Sequence, residues 1–546
     1  MPGLIDDLTA RRRRGGTVAR ALLACLIAVT TAACWRSPDQ GQQLVVGIES
    51  ETERLDPLTI KNPQTFILSW QIYEGLLGLD EAGQVVPMLA QSWETKDSQT
   101  WTFRLRPNVS FQASELFGGP DKSRPVTAAD VVWSYTAYCR PTAYSSFLLT
   151  DSVKGCADYN AKKATAVEGL RAPDDRTFEI TLVKPEPFFI NRLTTAWISV
   201  FPREAEEPQF KDAWGLRLAV GTGPYRLQSR TDSEVVLVKN LQYWGGPPAI
   251  DRIVYRVIKN DQIRFSELTG GKLDLMVVPT QLLPVLMDAQ GKPKAEYAGK
   301  YNITAIGTFN SHMIGMNLKR VPDIHLRRAM FYGTDRDEII RRILYGYADV
   351  TAGTIPPGLG GYVPLFPGPL YDQERARAEL KQSRYRGEDL ELLVHELANS
   401  EAIGQAFQAQ MKAIGLNVKL TKLDFNSVIG RMVKGEATLF SMFLEYVFSA
   451  PEPILLNMFT TAKIPVPNFW SYSDASVDQA VEALRTVASR EESIRRSAEI
   501  EKTIIDGVPA VFLYRQKYVV MYSKKFDGLK VNGHGHYALK DLKLSR

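Results

Sequence analysis

Five histidines and four cysteines are all that the 546-residue chain offers for soft-metal ligation or thiol and imidazole chemistry, so their spacing decides most of what it could catalyse. His395-Glu396 opens an HExxH-like string, in which two histidines one helical turn apart would hold zinc and the glutamate would activate water. Asn399 stands where the second histidine belongs, so the ligand pair is incomplete. Gly533-His534-Gly535-His536 sets two histidines close together near the C-terminus. With no cysteine or carboxylate cluster beside them, they read as a solvent-exposed segment rather than a metal site. No GxSxG elbow, phosphate-binding GxxxxGK loop or GxGxxG turn occurs, and GTGPY (Gly221–Tyr225) and TGGK (Thr269–Lys272) lack the required spacing. The 61 Asp and Glu residues leave a two-carboxylate hydrolase open. No nucleophile or metal motif supports an enzyme, and neither a metal nor a cofactor is expected.

The cysteines divide by address. Arg11–Arg14 precede a 13-residue apolar stretch, Ala21–Ala33, and then Cys34. That run is shorter than the roughly 18 residues of a membrane-spanning helix, and its basic flank and small residues suit a secretory signal over 1–33. A buried core helix is the alternative, against which the four arginines argue. Thr31-Ala32-Ala33-Cys34 resembles the lipobox of bacterial lipoproteins, whose cysteine becomes the first mature residue and carries acyl chains; Thr31 replaces the usual leucine. Cys34 is thus expected to be lipidated, with a soluble secreted protein as the fallback. Cys25 would leave with the signal. Cys139 and Cys156 then remain as an even pair in an oxidising compartment, and a disulfide is expected, with two buried thiols as the alternative.

Removing 1–33 takes away five arginines and two aspartates and lowers the formal net charge from +5 to +2, leaving no basic footprint for nucleic acid. The composition, 45% hydrophobic and 23% charged, is that of a globular chain, and the length predicts about three domains. After a polar tether, Leu44–Ile48 reads as a short buried strand. Period-2 alternation predicts strands at Trp101–Arg106, Phe178–Val183 and Ile253–Ile258. Capping boxes at Thr127/Asp130, Thr334/Asp337 and Ser489/Glu492 each precede a helix-length apolar pattern. Strands and helices alternate throughout without repeats or Gly/Ser linkers, which predicts interleaved α/β domains.

Read in order, the motifs resemble those of the family 5 extracellular solute-binding proteins, the dipeptide and oligopeptide receptors of ABC importers. They are LDP (Leu55–Pro57), Ile72–Trp93, Trp101–Phe111, VTAADVVWS (Val126–Ser134), GTGPY, NLQYWGG (Asn240–Gly246), Asp251–Met276, Leu326–Ala348, TIPPG (Thr354–Gly358), Ser471–Arg485 and GVPAVFLY (Gly507–Tyr514). The resemblance implies an α/β, two-lobed periplasmic-binding-protein type II fold with an extra subdomain inserted in the N-terminal lobe. It implies a lipidated tether at 34–43, lobe I at 44–85, 190–305 and 514–546, the insertion at 86–189, and lobe II at 306–513. The partners implied are a peptide or other small solute, the transmembrane permease subunits of an ABC importer, and a membrane met through the lipid anchor. A monomer in the periplasm, or on the outer face of the cytoplasmic membrane, is expected.

In such receptors a lobe II carboxylate binds the ligand ammonium, within a tryptophan-containing stretch. Here the stretch reads SMFLEYVFSAPEP (Ser441–Pro453) without tryptophan. Glu445 with Tyr446 can supply the acid; aligning on Pro451-Glu452-Pro453 instead puts Ser449 there, and Glu445 would be a surface residue. Lys61 and Asn62 after LDP, Asn468 and Trp470 in lobe II, and Tyr514 at the last crossing are the other contacts implied. Relatives also take nickel complexes, haem, sugars, opines or glutathione, so a non-peptide solute is the alternative, and a secreted lipoprotein hydrolase a more distant one.

Overall fold

The computed structural model describes residues 42–546 except 62, 81–82, 196, 289, 358, 360–361, 365–369, 398, 447–449, 485–486, 488–489 and 536. From Leu44 onward these residues form one compact unit. The expected export signal, Cys34 and nearly all of the tether lie outside the described residues, as do Asn62, Ser449, Ser489 and His536.

Twelve strands build the main sheet. From one edge the order is Val418–Lys422, Leu390–Val394, Leu439–Glu445, Asn310–Met316, Ala510–Ser523, Leu275–Val277, Gln43–Ile48, Arg252–Val257, Glu234–Lys239 and Tyr225–Arg230, with Tyr301–Gly307 and Ala348–Val350 also paired to Ala510–Ser523. That 14-residue strand is long enough to serve two neighbourhoods. Its first residues pair antiparallel with Asn310–Met316, and its last with Tyr301–Gly307 and Leu275–Val277. Each flank has its own apolar core: Ile314, Leu392, Phe407 and Val511 on one side, Val46, Leu237, Tyr255 and Val520 on the other. Ile253, Val254 and Tyr255 are all buried, so this strand does not show the expected alternation. Flanked by neighbours in the sheet and covered on both faces, it has no solvent side to make polar.

A second, four-stranded antiparallel sheet orders Ala90–Thr95, Thr100–Leu105, Thr177–Thr181 and Leu170–Asp174. Here the alternation holds: Trp101, Phe103 and Leu105 are buried while Arg104 is exposed, and Phe103 faces Phe178 directly across the pair with ring centroids 5.9 Å apart. The helix Ala128–Tyr138 covers this sheet. It starts at the expected capping box, where Asp130 Oδ2 accepts from Thr127 N at 2.9 Å and from its hydroxyl at 3.1 Å. Arg124 bridges Asp130 and Glu204 at 2.8 and 2.7 Å, fastening the helix start to the turn at Arg203–Glu206.

The second capping box is displaced by one residue. Asp335, rather than Thr334, caps the helix Arg336–Ile343 by accepting from Glu338 N at 2.8 Å. Thr334 is already used by the preceding helix, donating its hydroxyl to Met330 O at 2.7 Å. His395 follows the strand Leu390–Val394, and Asn399 is a left-handed residue (φ 58°) before the helix Ser400–Ile414, so the HExxH-like string never lies on one helix. Gly221 sits where a Cβ would run into Ile72 O, which lets the GTGPY turn press onto the Gln71–Ile72 backbone before the strand Tyr225–Arg230.

Cys139 ends the helix Ala128–Tyr138 and Cys156 opens the helix Cys156–Asn160; their sulfurs are bonded, with Cα atoms 5.4 Å apart, and both residues are fully buried. The bond closes a short loop, sequence separation 17, within the segment carrying the four-stranded sheet. Replacing both cysteines by serine is expected to lower unfolding stability by roughly 3 kcal/mol in the chain-entropy picture, read from denaturant midpoints of oxidised wild type against the double variant.

Candidate functional site

Two backbone segments run side by side where the flanks of the main sheet meet, 307–310 and 514–517. Thr308 N and Oγ1 both donate to Gln516 O, at 3.1 and 2.7 Å, and Gln516 N donates to Asn310 Oδ1 at 3.0 Å. Between them Phe309 N donates to Gly533 O at 2.7 Å, and Phe309 O accepts from Tyr446 N at 2.8 Å. A Cβ at Gly533 would collide with the Phe309 ring, so only glycine lets the C-terminal segment come this close. Arg515 and Lys517 both grip Asp349, each at 2.8 Å.

These contacts bring several distant parts of the sequence around a cavity of about 500 Å³. Glu49 follows the first strand; Lys61, Phe66 and Trp70 come from the segment after LDP; Tyr144 opens the 3₁₀ helix Tyr144–Leu148, and Trp197 comes from a later loop. Gln516, Lys517 and Tyr518 belong to the crossing strand, His534 to the C-terminal segment, and Glu445 with Tyr446 to the opposite flank. Glu445 is delivered by register: its strand Leu439–Glu445 pairs residue for residue with Asn310–Met316, placing Glu445 opposite Asn310 at the crossing.

Of the residues expected from the sequence, Lys61, Glu445 and Tyr446 line the cavity. Asn468, Trp470 and Tyr514 do not. Asn468 is fully buried and closes a turn, donating to Thr460 O and Tyr472 O at 2.9 and 2.8 Å and accepting from Tyr472 N. Trp470 is fully buried between Phe440 and Phe459, 6.1 and 5.3 Å away. Tyr514 is fully buried and stacks on His312, ring centroids 4.5 Å apart; His312 stacks in turn on Phe443. Each is a contact that the resemblance implies, and each is taken up by core packing, which a single sequence does not separate from a cleft wall.

His534 corrects a different expectation. It is not a solvated tail residue: it packs edge-on against Phe309 with centroids 4.9 Å apart, and burial pushes its pKa down to about 4, so the ring is neutral at pH 7. The C-terminal segment is held by short strand pairs and by Leu539 and Leu542 in the core, which explains its order. Among the described residues no group of three His, Cys, Asp or Glu could hold a metal ion.

The chemistry of the cavity is that of an acidic, aromatic cleft. The Glu445 carboxylate has no hydrogen-bond or ion-pair partner among the described residues, and desolvation raises its pKa above the ordinary glutamate value. Glu49 faces the same space, with Gln64 donating to it at 3.1 Å, and both carboxylates act on the Tyr518 phenol between them. An unpartnered carboxylate in a partly desolvated space favours a cation. Behind Tyr446, Glu501 accepts from Thr354 N, Thr354 Oγ1 and Ile355 N at 2.6, 2.9 and 2.8 Å, holding the TIPPG turn against the apolar cluster of Phe309, Ile355 and Tyr446. Burial pushes Glu501 up to about 7 despite these donors.

Residues 84–465 match the bacterial extracellular solute-binding proteins, family 5 Middle, which is more than half of the chain. The chain belongs to this family. It is 30% identical over 340 residues to the periplasmic oligopeptide-binding protein OppA of Salmonella typhimurium, a match spanning 60% of each chain. It is 25% identical to the probable D,D-dipeptide-binding periplasmic protein DdpA of Escherichia coli over 94% of this chain and 96% of that one. The periplasmic murein tripeptide binding protein MppA in its unliganded open form superposes with a TM-score of 0.77 at 20% identity, over 92% of this chain and 98% of that one, and shares the fold. This solute-binding protein therefore has the two-lobed α/β architecture with an inserted subdomain, and the cavity lies where the two flanks of its main sheet meet.

Glu445→Gln should weaken binding of a cationic solute about tenfold to a hundredfold by calorimetry, the range of a lost charge-assisted bond. Because burial raises the Glu445 pKa, wild-type affinity should fall on acidification at a higher pH than an ordinary glutamate would dictate. Separately, Glu501 has a higher pKa folded than unfolded, so its contribution to stability is greatest below its ordinary value of 4.5 and is lost as pH rises to about 7. Denaturant titrations should show that decline at up to about 1.4 kcal/mol per pH unit, and Glu501→Gln should abolish it.

Proposed function

We propose that this protein is the extracytoplasmic solute-binding subunit of an ABC importer and that its ligand is a peptide. The observation carrying the reading is Glu445, an unpartnered carboxylate set by strand register at the junction of the two lobes, opposite a second acid, Glu49, from the other lobe. A peptide ammonium supplies the charge-assisted partner that Glu445 lacks, while Glu49 already accepts from Gln64 and lies 3.9 Å from Arg264. The names of the relatives, oligopeptide- and D,D-dipeptide-binding proteins, point the same way.

Ligand bridging the lobes stabilises the closed arrangement over the open one, because only there does it touch Glu445 and Glu49 together, and the permease distinguishes the two. The crossing segments at 307–310 and 514–517 are the hinge of this motion. No covalent step is involved, and the ligand leaves unchanged. The proposed parts are lobe I at 44–85, 190–305 and 514–546, the insertion at 86–189, and lobe II at 306–513. The four-stranded sheet falls inside the second range, and the strand order on either side of Ala510–Ser523 supports the others. Export by residues 1–33, anchoring through a lipid on Cys34, and action as a monomer complete the proposal. Among the described residues no helix is long and apolar enough to cross a membrane.

A thermal and chemical stability screen with di- to pentapeptides, sugars and metal chelates tests the reading. A bound peptide at a hundred times its Kd should add about 2.7 kcal/mol of stability and be recovered intact. Stabilisation by a sugar or chelate with no peptide effect overturns the peptide assignment, and recovery of cleaved peptide overturns the receptor role.

A further inference from the structure

One side of the cavity carries more aromatic surface than an ammonium site needs. Trp197 meets three rings edge-on: Phe66 at 5.3 Å, Tyr144 at 6.0 Å and Phe147 at 6.1 Å. Phe66, Tyr144 and Trp197 line the cavity, and Phe147 packs against Trp197 outside that lining. Tyr144 and Phe147 stand three apart in the 3₁₀ helix Tyr144–Leu148, a spacing that stacks their side chains on one face, and they remain 42% and 51% exposed.

The wall is built into the scaffold. Tyr144 N donates to Leu58 O at 2.8 Å, tying the helix to the segment after LDP, and Ser145 Oγ donates to Trp197 O at 2.9 Å, tying it to the loop that carries the indole. The Trp197 indole N–H is buried and has no acceptor among the described residues. Large exposed rings flanking a ligand cavity are suited to a flat apolar group. A cation is disfavoured at this end: Lys61 Nζ already lies 5.7 Å from the centre of the Tyr144 ring and would repel one.

We infer that the Trp197, Tyr144 and Phe147 wall is a specificity pocket for an aromatic side chain of the peptide ligand, separate from the acidic end at Glu445 and Glu49. The inference rests on the peptide reading above. It assigns the cavity two chemically distinct ends, one for the ammonium and one for a ring.

Calorimetric titration of the full mature chain with Ala-Ala-Ala, Phe-Ala-Ala, Ala-Phe-Ala, Ala-Ala-Phe and the corresponding lysine series tests it. At least one phenylalanine isomer should bind about tenfold or more tightly than trialanine, with no such gain for the lysine isomer of the same register. In Tyr144→Ser and Phe147→Ser, both substitutions of exposed rings, the ratio of phenylalanine to alanine affinity should fall towards one, and Tyr144→Phe should restore it. Trialanine binding without any phenylalanine preference overturns the pocket and leaves the peptide reading standing, as does an equal gain for lysine or an unchanged ratio in both serine variants. Failure of every peptide to bind overturns the peptide reading and this pocket with it.

Discussion

The pairing of the strand Ala510–Ser523 with both flanks of the main sheet is the constraint on which the remaining structure depends. A strand in a sheet must satisfy its backbone groups on both edges, and this one does so with different partners along its length: Asn310–Met316 and Ala348–Val350 first, then Tyr301–Gly307 and Leu275–Val277. The change of partner falls at Tyr514–Lys517. There the side chains of Thr308 and Asn310 take over hydrogen bonds to Gln516 beside the regular ladder, so the crossing stays satisfied while the two flanks diverge. A cleft at this position is a consequence of that geometry.

The same constraint explains why the cleft is charged as it is. Glu445 ends a strand whose register against Asn310–Met316 fixes it at the crossing, and Glu49 follows a strand held on the other flank by pairing with Leu275–Val277. Glu445 would not be left partly desolvated on a single free-standing strand. The cations close by are differently used: Arg264 lies 3.9 Å from Glu49, Lys517 and Arg515 neutralise Asp349, and Lys61 lies over the Tyr144 ring. Acid therefore dominates one end of the cavity and aromatic surface the other, a division that suits an amphipathic ligand held from both ends.

Much of this was legible in the residues themselves. Alternation placed Trp101–Arg106 and Phe178–Val183 in strands because one face of that antiparallel sheet meets water, which makes the pattern visible. It did not hold at Ile253–Ile258, where both faces are covered. The Thr127/Asp130 box was readable because both its hydrogen bonds are local, whereas Thr334 was claimed by the helix before it. The cysteine pair was readable by elimination once Cys25 and Cys34 were assigned elsewhere, and the two sulfurs are bonded.

The α/β class, the family and an acid at the end of SMFLE can be read from the residues alone, since these rest on local periodicity and on ordered motifs. Which aromatic and polar groups are free to meet a ligand is settled by the packing of the folded chain. Asn468, Trp470 and Tyr514 are spent on the core, while Trp197, Tyr144 and His534, which drew no attention or the wrong kind, face the cavity. The reason is physical: burial of a ring against Phe459 or against open cleft is set by chain segments hundreds of residues apart, and no pattern within a short window carries that information.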